Sequence, residues 1–550
     1  MQNLTSTCSM VPSPFNYYKC AVIPNIHMQY SNHLHKTMDL QSSALGYFIF
    51  FSISLLFPLL ILFLLKNPSH PSTATATAPT YPLLGSILTI WRNKQRRVQW
   101  ISDMILSTPT LTFTLHRPLG YRQLFTANAA NVQHLLKNHF YNYPKGAAFR
   151  ATLRDFLGDG IFNADADNWK FQRQLSSHQF NTKSLRRFVE TVVDEELSDR
   201  LVPVLGGAAS SAAAVDLQDI LQRFAFDNIC RIAFGYDPAY LLPSLPEVEF
   251  AEVFDSALNL ISERFNSNIP FLWKINRALG LGKEKKLMGK IDEVREFAKK
   301  IMREKESELR RRSTLESEDL LSSFLRSGQS DEEFVVDVVI CFILAGRDTT
   351  SAALTWFFWL LSSHPEVEAE ILREINQGKD SDIGGGGAYD EVKSMVYTHA
   401  AISEAMRLYP PVPVSTKSAL NDDVLPDGTV VRKGTRISYH PYAMGRVEEV
   451  WGADWAEFRP RRWLEEAEEE KGRWRFVGRD PYTYPVFQAG PRICLGKDMA
   501  YLQMKRVVAG ILRRFTVVPA EEGFSPVYVS DFTSKMKGGF MVRVRDRVRS

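Results

Sequence analysis

Cysteine is scarce. The 550 residues hold five, at Cys8, Cys20, Cys230, Cys341 and Cys494. Scattered so widely, they build no disulfide framework and fit a reducing compartment. No two form a CxxC pair and no HExxH occurs, which excludes a zinc site built on a short motif. A surplus of one charge is also missing. The 66 basic and 62 acidic residues leave a formal +4, too balanced for a nucleic-acid partner. No internal repeat is present, which excludes solenoids and propellers. No glycine-rich fingerprint follows a strand, so the chain carries no flavin or nicotinamide site of its own.

One absence is local. Ala44 to Leu65, ALGYFIFFSISLLFPLLILFLL, contains no charge over 22 residues. As a helix it spans roughly 33 Å, enough to cross the hydrocarbon core of a bilayer. Pro58 inside it is tolerated in membrane helices. Thr73 to Pro79 (TATATAP) offers small residues for signal-peptide cleavage, but the apolar run exceeds the usual signal core of about 7–15 residues. The reading is a retained transmembrane anchor at 44–65, behind a leader at 1–43. Met38 is expected to be the true start, with residues 1–37 a gene-model extension that lacks periodicity and signal-peptide layout. From that start no Lys or Arg precedes the anchor while Lys66 follows it, which places the bulk of the chain in the cytosol. Residues 66–90 are a proline-rich, semi-rigid hinge. Arg92, Lys94, Arg96 and Arg97 then face either anionic lipid or solvent.

Residues 91–550 read as one mainly helical domain with a minor β-sheet. Leu111–His116 and Tyr121–Ala127 are strand candidates around a proline-glycine turn, and Asn128 is an N-cap candidate. Gly206–Ala214 (GGAASSAAA) and Asp380–Ala388 (DSDIGGGGA) read as low-complexity loops. Glu333–Ser363 is a long apolar helix whose Asp337, Arg347 and Asp348 place it inside a globular domain rather than in a membrane.

Cys494 lies in Phe487 to Gly496, FQAGPRICLG. A lone cysteine is usually a small buried hydrophobe, but this one sits between glycines, beside an arginine and behind an aromatic. The segment resembles the F-x-x-G-x-R-x-C-x-G signature of the cytochrome P450 family at every fixed position. The resemblance implies the cytochrome P450 fold, with Cys494 as axial thiolate ligand to the iron of haem b. Glycines 490 and 496 would then let backbone approach the sulfur, Arg492 would pair with a propionate and Phe487 would shield the sulfur. Further motifs follow the family order. AGRDTT (Ala345–Thr350) resembles its oxygen-activation motif: Gly346 leaves room over the iron, Thr349 bonds the distal oxygen and Asp348 feeds protons. EAMR (Glu404–Arg407) and FRPRRW (Phe458–Trp463) imply a structural Glu404–Arg407–Arg462 network, with Trp463 standing where phenylalanine is usual. WKFQR (Trp169–Arg173) implies two more propionate donors.

The resemblance extends from about Thr80 to the C-terminus. It implies a single-pass protein of the endoplasmic reticulum membrane, its catalytic domain cytosolic, fed electrons from NADPH by a separate cytochrome reductase. Lys497, Lys505 and Arg506 would offer that acidic partner a basic surface. YPKG (Tyr143–Gly146), RLYPPVPVSTK (Arg407–Lys417) and TSKMKGGF (Thr533–Phe540) resemble the plant fatty-acid ω-hydroxylase group, family 94. Ser176–Glu190, SSHQFNTKSLRRFVE, leans toward members that oxidise jasmonoyl–isoleucine to its 12-hydroxy and 12-carboxy forms. The alternatives are a fatty-acid ω-hydroxylase of lipid or cutin metabolism, and a hydroperoxide lyase or isomerase working without reductase. For a carboxylate-bearing aliphatic substrate, Lys145, Arg150 or Lys417 would hold the acid. Val412, Val414 and Phe532 would line the apolar bore.

Overall fold

The computed structural model describes residues 84–547 apart from 247–248, 268–271, 312–318, 329–330, 381–386 and 467–473, together with Ser54, Leu56, Thr80 and Tyr81. The leader, nearly all of the anchor, the hinge up to Leu83 apart from Thr80 and Tyr81, and most of the glycine run at 380–388 lie outside the described residues. From Ser69 onward the chain forms one unit, and it is mainly helical with small sheets.

Its axis is the helix Glu332–Ser362, 31 residues long, capped by Asp331, whose side chain accepts from the Glu333 N–H. Residues on all its faces are buried, Val339, Ile340, Leu354 and Phe357 completely. The charges that break its apolar run are neutralised in place. Arg347 donates to Asp255 at 2.7 Å and to Asp348 at 3.0 Å. Among the described residues no helix is long and apolar enough to cross a membrane. Helix Leu217–Phe234 packs along this axis. Gly346 sets the spacing, because a Cβ there would lie 2.5 Å from Ile229 Cγ1.

The larger sheet runs in the order Thr112–His116, Arg122–Thr126, Arg436–Tyr439, Ser415–Ser418. The first pair is the expected hairpin, with Phe113 opposite Phe125. Asn128 caps the next helix by accepting from the Ala130 and Asn131 N–H groups at 3.0 and 3.2 Å. A second sheet joins Phe515–Pro519, Met541–Asp546 and Ala214–Asp216.

The segment 206–214, expected as a loop, is instead the end of helix Val202–Ser211 and the start of that third strand. Alanine is the best helix former, and Val204, Leu205 and Ala208 bury one face. The helix stops where Ala212 turns left-handed at φ 53°.

Candidate functional site

Two short 3-10 turns, Pro485–Phe487 and Gly490–Arg492, carry the chain to Cys494 just ahead of helix Lys497–Leu512. The Cys494 N–H closes the loop by donating to the Phe487 carbonyl at 2.8 Å. Gly490 is required here: at φ 64° a Cβ would lie 2.1 Å from the Leu136 carbonyl oxygen. Its smallness serves this contact rather than an approach to the sulfur. Gly496 has no such need, since a Cβ there would meet only Phe180 at an ordinary 3.6 Å. Gln488 holds φ 63° although it is not glycine, a conformation that costs about 1–3 kcal/mol and gathers at functional sites. The Tyr439 hydroxyl donates to its side-chain oxygen. Sequence reasoning passed over Gln488, because nothing in its type signals a positive φ.

The Cys494 sulfur is exposed, but onto a cavity walled by protein. Burial raises its pKa, while the Gly496 N–H, Arg173 and Lys497 pull it down. A metal cation would complete the deprotonation. Phe487 flanks the same wall, 5.2 Å from the Tyr501 ring.

The central helix forms the facing wall. Phe342, Ala345, Gly346, Thr349 and Ala353 line it, a spacing that places them on one helical face. Thr349 Oγ1 donates to the Ala345 carbonyl at 2.7 Å, leaving its lone pairs to accept a further bond. Gly346 contributes backbone to this wall, but its missing side chain makes room for Ile229 rather than for a ligand. Asp348 does not line the cavity. It is 2 % exposed, held by Arg347, with Thr533 Oγ1 at 3.5 Å. Burial pushes its carboxyl pKa up against the opposing pull of Arg347. It sits one residue from Thr349, turned into an ion network rather than toward the cavity.

A cationic rim closes one side. The Arg492 guanidinium lies 4.5 Å above the Trp169 ring and that of Arg173 lies 6.0 Å from it. Arg173 donates to the Ile493 carbonyl at 2.7 Å, and Arg492 to Asp165 at 2.8 Å. Lys145 and Lys417 join the same lining. Burial, then Arg492, lowers the Lys145 pKa to about 8. Burial, then Lys145 and Arg492, lowers that of Lys417 well below its ordinary value. Lys417 is 2 % exposed. Four basic side chains thus gather near one carboxylate, Asp165. Gathering like charges out of water is costly, and a dianionic group at this rim would relieve it. The thiol, the cations and Trp169 therefore fit haem b, whose propionates the cations would hold.

The remaining expectations separate. Val412 lines the cavity, whereas Val414 packs in the core around Phe113 and Phe532 lies tilted against Phe265 at 6.4 Å. Arg150 is bound to Asp159 at 2.9 Å in a different, charged pocket. The lining also includes Phe162, Phe188 and Ile229, which individual motifs did not single out. Of the expected basic surface only Lys497 is exposed. Lys505 is 4 % exposed, and Arg506 is taken up by Asp194 and by Glu391 at 3.3 Å. Their helix buries that face against the core, so neither offers a free charge.

Behind the loop, Glu404 and Arg407 are fully buried and pair through two bonds of 2.8 Å. Arg462 Nε adds a bond of 2.7 Å to Glu404, completing the expected triad. Trp463 is a fourth member: its indole N–H donates to Glu404 Oε2 at 2.9 Å, which phenylalanine could not do. A buried charge cluster is tolerable only when paired this fully.

A family model described as cytochrome P450 matches residues 78–539. Cytochrome P450 94A2 of Vicia sativa is 61 % identical over 88 % of this chain and 94 % of that protein. Cytochrome P450 94A1 of the same plant is 57 % identical over 85 % and 90 % respectively. Cytochrome P450 94B1 of Arabidopsis thaliana is 44 % identical over 86 % and 92 %. Similarity of this extent shows the family: the chain belongs to the cytochrome P450 family, as a monooxygenase that uses haem b and electrons from a separate reductase.

Proposed function

We propose that the chain hydroxylates the terminal carbon of a fatty acid. The observation that carries this reading is the cavity lining: aromatic and aliphatic side chains, four basic ones and, among the described residues, no aspartate or glutamate. Such a site accepts an apolar tail with an anionic head. Arg173 and Arg492 are the guanidiniums at hand for the two propionates, which leaves Lys145 or Lys417 to pair with the substrate's carboxylate. Bound haem supplies the activation of dioxygen and the oxidation of the C–H bond. The chain's own residues orient and protect: Ile229, Phe342 and Val412 exclude water from the alkyl end, Thr349 accepts a hydrogen bond facing the cavity, and Asp348 anchors Arg347 behind it. The protein would work at the endoplasmic reticulum membrane on a single-pass anchor with its catalytic domain in the cytosol, as the charge-free run 44–65 supports.

Jasmonoyl–isoleucine presents the same carboxylate but adds an amide and a ketone. Each costs about 1–3 kcal/mol if buried without a partner, and the alkyl-facing wall is apolar. The test expresses the full chain in microsomes with a plant reductase and NADPH. A medium-chain fatty acid, its methyl ester and jasmonoyl–isoleucine compete, and products are identified by mass. Preferred formation of the ω-hydroxy acid is expected. Preferred oxidation of the conjugate would replace this reading with a hormone-oxidising one. Lys145→Met should raise KM for the acid and not for the ester; equal effects would remove Lys145 from substrate binding.

A further inference from the structure

We propose that His134, His139 and Asp423 form a second metal site, for a zinc-type divalent cation, that pins the surface on which the cysteine loop rests. The two histidines stand five residues apart, a spacing that points them about 140° apart on an α-helix. Here the turn His134–Asn138 is π-helical, closed by the His139 N–H donating to the His134 carbonyl at 2.8 Å. Its wider turn brings the rings into register, with centroids 4.0 Å apart. Wide turns of this kind are frequent at functional sites.

Asp423, from a hairpin 284 positions beyond His139, meets both rings. One oxygen, Oδ2, lies 2.9 Å from His134 Nε2 and 3.0 Å from His139 Nδ1. The same oxygen accepts from the Tyr143 hydroxyl at 2.8 Å and from the Asn142 amide at 3.4 Å. Four donors on one carboxylate oxygen exceed its roughly two lone-pair sites. A cation between the imidazoles and the carboxylate would take over two of these contacts.

The three ligand atoms lie within 4.8 Å of one another. Zinc–nitrogen and zinc–oxygen bonds of about 2.0–2.2 Å place tetrahedral ligand atoms about 3.3 Å apart, so the nitrogen–oxygen separations of 2.9 and 3.0 Å need to open by only a few tenths of an ångström. Two neutral imidazoles and a carboxylate suit zinc, with water in the fourth position. Tyr143 and Asn142 remain to orient the carboxylate, as outer-shell partners do. The His139 side chain is about half exposed, which gives the ion a path in.

The site is coupled to the cysteine loop through Leu136. This residue lies in the same π turn, and its carbonyl is the group that admits only glycine at position 490. Chelation would tie the turn to the hairpin holding Asp423 and fix the seat of the loop.

The test uses the full-length holoenzyme in detergent, stripped with a chelator and titrated with Zn²⁺ against a chromophoric competitor. The native chain should bind one more equivalent than His139→Ala, while His178→Ala, an exposed control, binds as the native chain does. Asp423→Asn should weaken that equivalent about 100-fold or more, since even outer-shell changes cost about 10–100-fold. Zn²⁺ should also slow heat-induced haem release from the native chain and not from His139→Ala. Identical binding by native chain and His139→Ala would overturn the site. Loss of the equivalent without any change in haem release would overturn its coupling to the loop.

Discussion

Trp463→Phe tests the buried network with a worked magnitude. Glu404 accepts five hydrogen bonds. Oε1 takes Arg407, Arg462 and the Arg459 N–H; Oε2 takes Arg407 and Trp463. Phenylalanine leaves Oε2 with Arg407 alone. A hydrogen bond to a charged group contributes about 1.5–3 kcal/mol. The smaller ring also opens a gap among Trp451, Phe476 and Tyr484, whose rings lie 4.7–6.0 Å away, for about 1 kcal/mol more. The expected loss is about 2.5–4 kcal/mol. At roughly 2.1 cal/mol/K per residue, a chain of this size shifts about 1 °C per kcal/mol, hence about 2–4 °C. The assay follows haem absorbance on heating at a fixed scan rate, because large chains unfold irreversibly. Trp451→Phe is the matched control: it also loses an indole bond, but to the neutral Met444 carbonyl at 2.8 Å, and should shift about half as far. Turnover per bound haem should be unchanged in both. Equal shifts in the two variants, or a Trp463→Phe shift below about 1 °C, would refute the assignment of a charge-assisted bond to the indole.

Other predictions follow from single contacts. Gly346→Ala puts a methyl group on Ile229 and should cost about 1–3 kcal/mol by overpacking, partly recovered by Ile229→Ala in the double variant's melting temperature. Lys417→Met should speed haem transfer to an acceptor apoprotein by removing a rim cation; an unchanged rate would take Lys417 out of the rim. Lys505 has its pKa lowered to about 8 by burial. Between about 8 and the ordinary 10.5 the unfolded chain binds the extra proton, so stability should rise with pH across that window. Lys505→Met should flatten this rise, stabilise the chain at pH 7 by up to about 3 kcal/mol, and leave the reductase KM unchanged.

Much of the architecture was legible from local rules. The hairpin at 112–126 announced itself by alternation around a turn, and Asn128 by its side chain's fitness to cap. The poly-alanine stretch misled because glycine and serine read as loop, whereas helix propensity and one buried face decided otherwise. Trp463 was visible as a departure from phenylalanine. That its N–H meets Glu404 depended on where residues 59 positions apart come to rest.

The sequence by itself determined the family and singled out Cys494, Thr349 and the Glu404–Arg407 pair, because each lies in a short motif with its own spacing along the chain. Only the tertiary structure decided which charges are free. Lys505 and Arg506 are buried or paired, Asp348 turns into an ion network, and Lys145 and Lys417 gather with Arg492 on one rim. Burial and pairing are properties of what arrives from elsewhere in the chain. No local pattern records that a lysine will meet three other cations, or that Asp423 will close on two histidines 284 and 289 residues away.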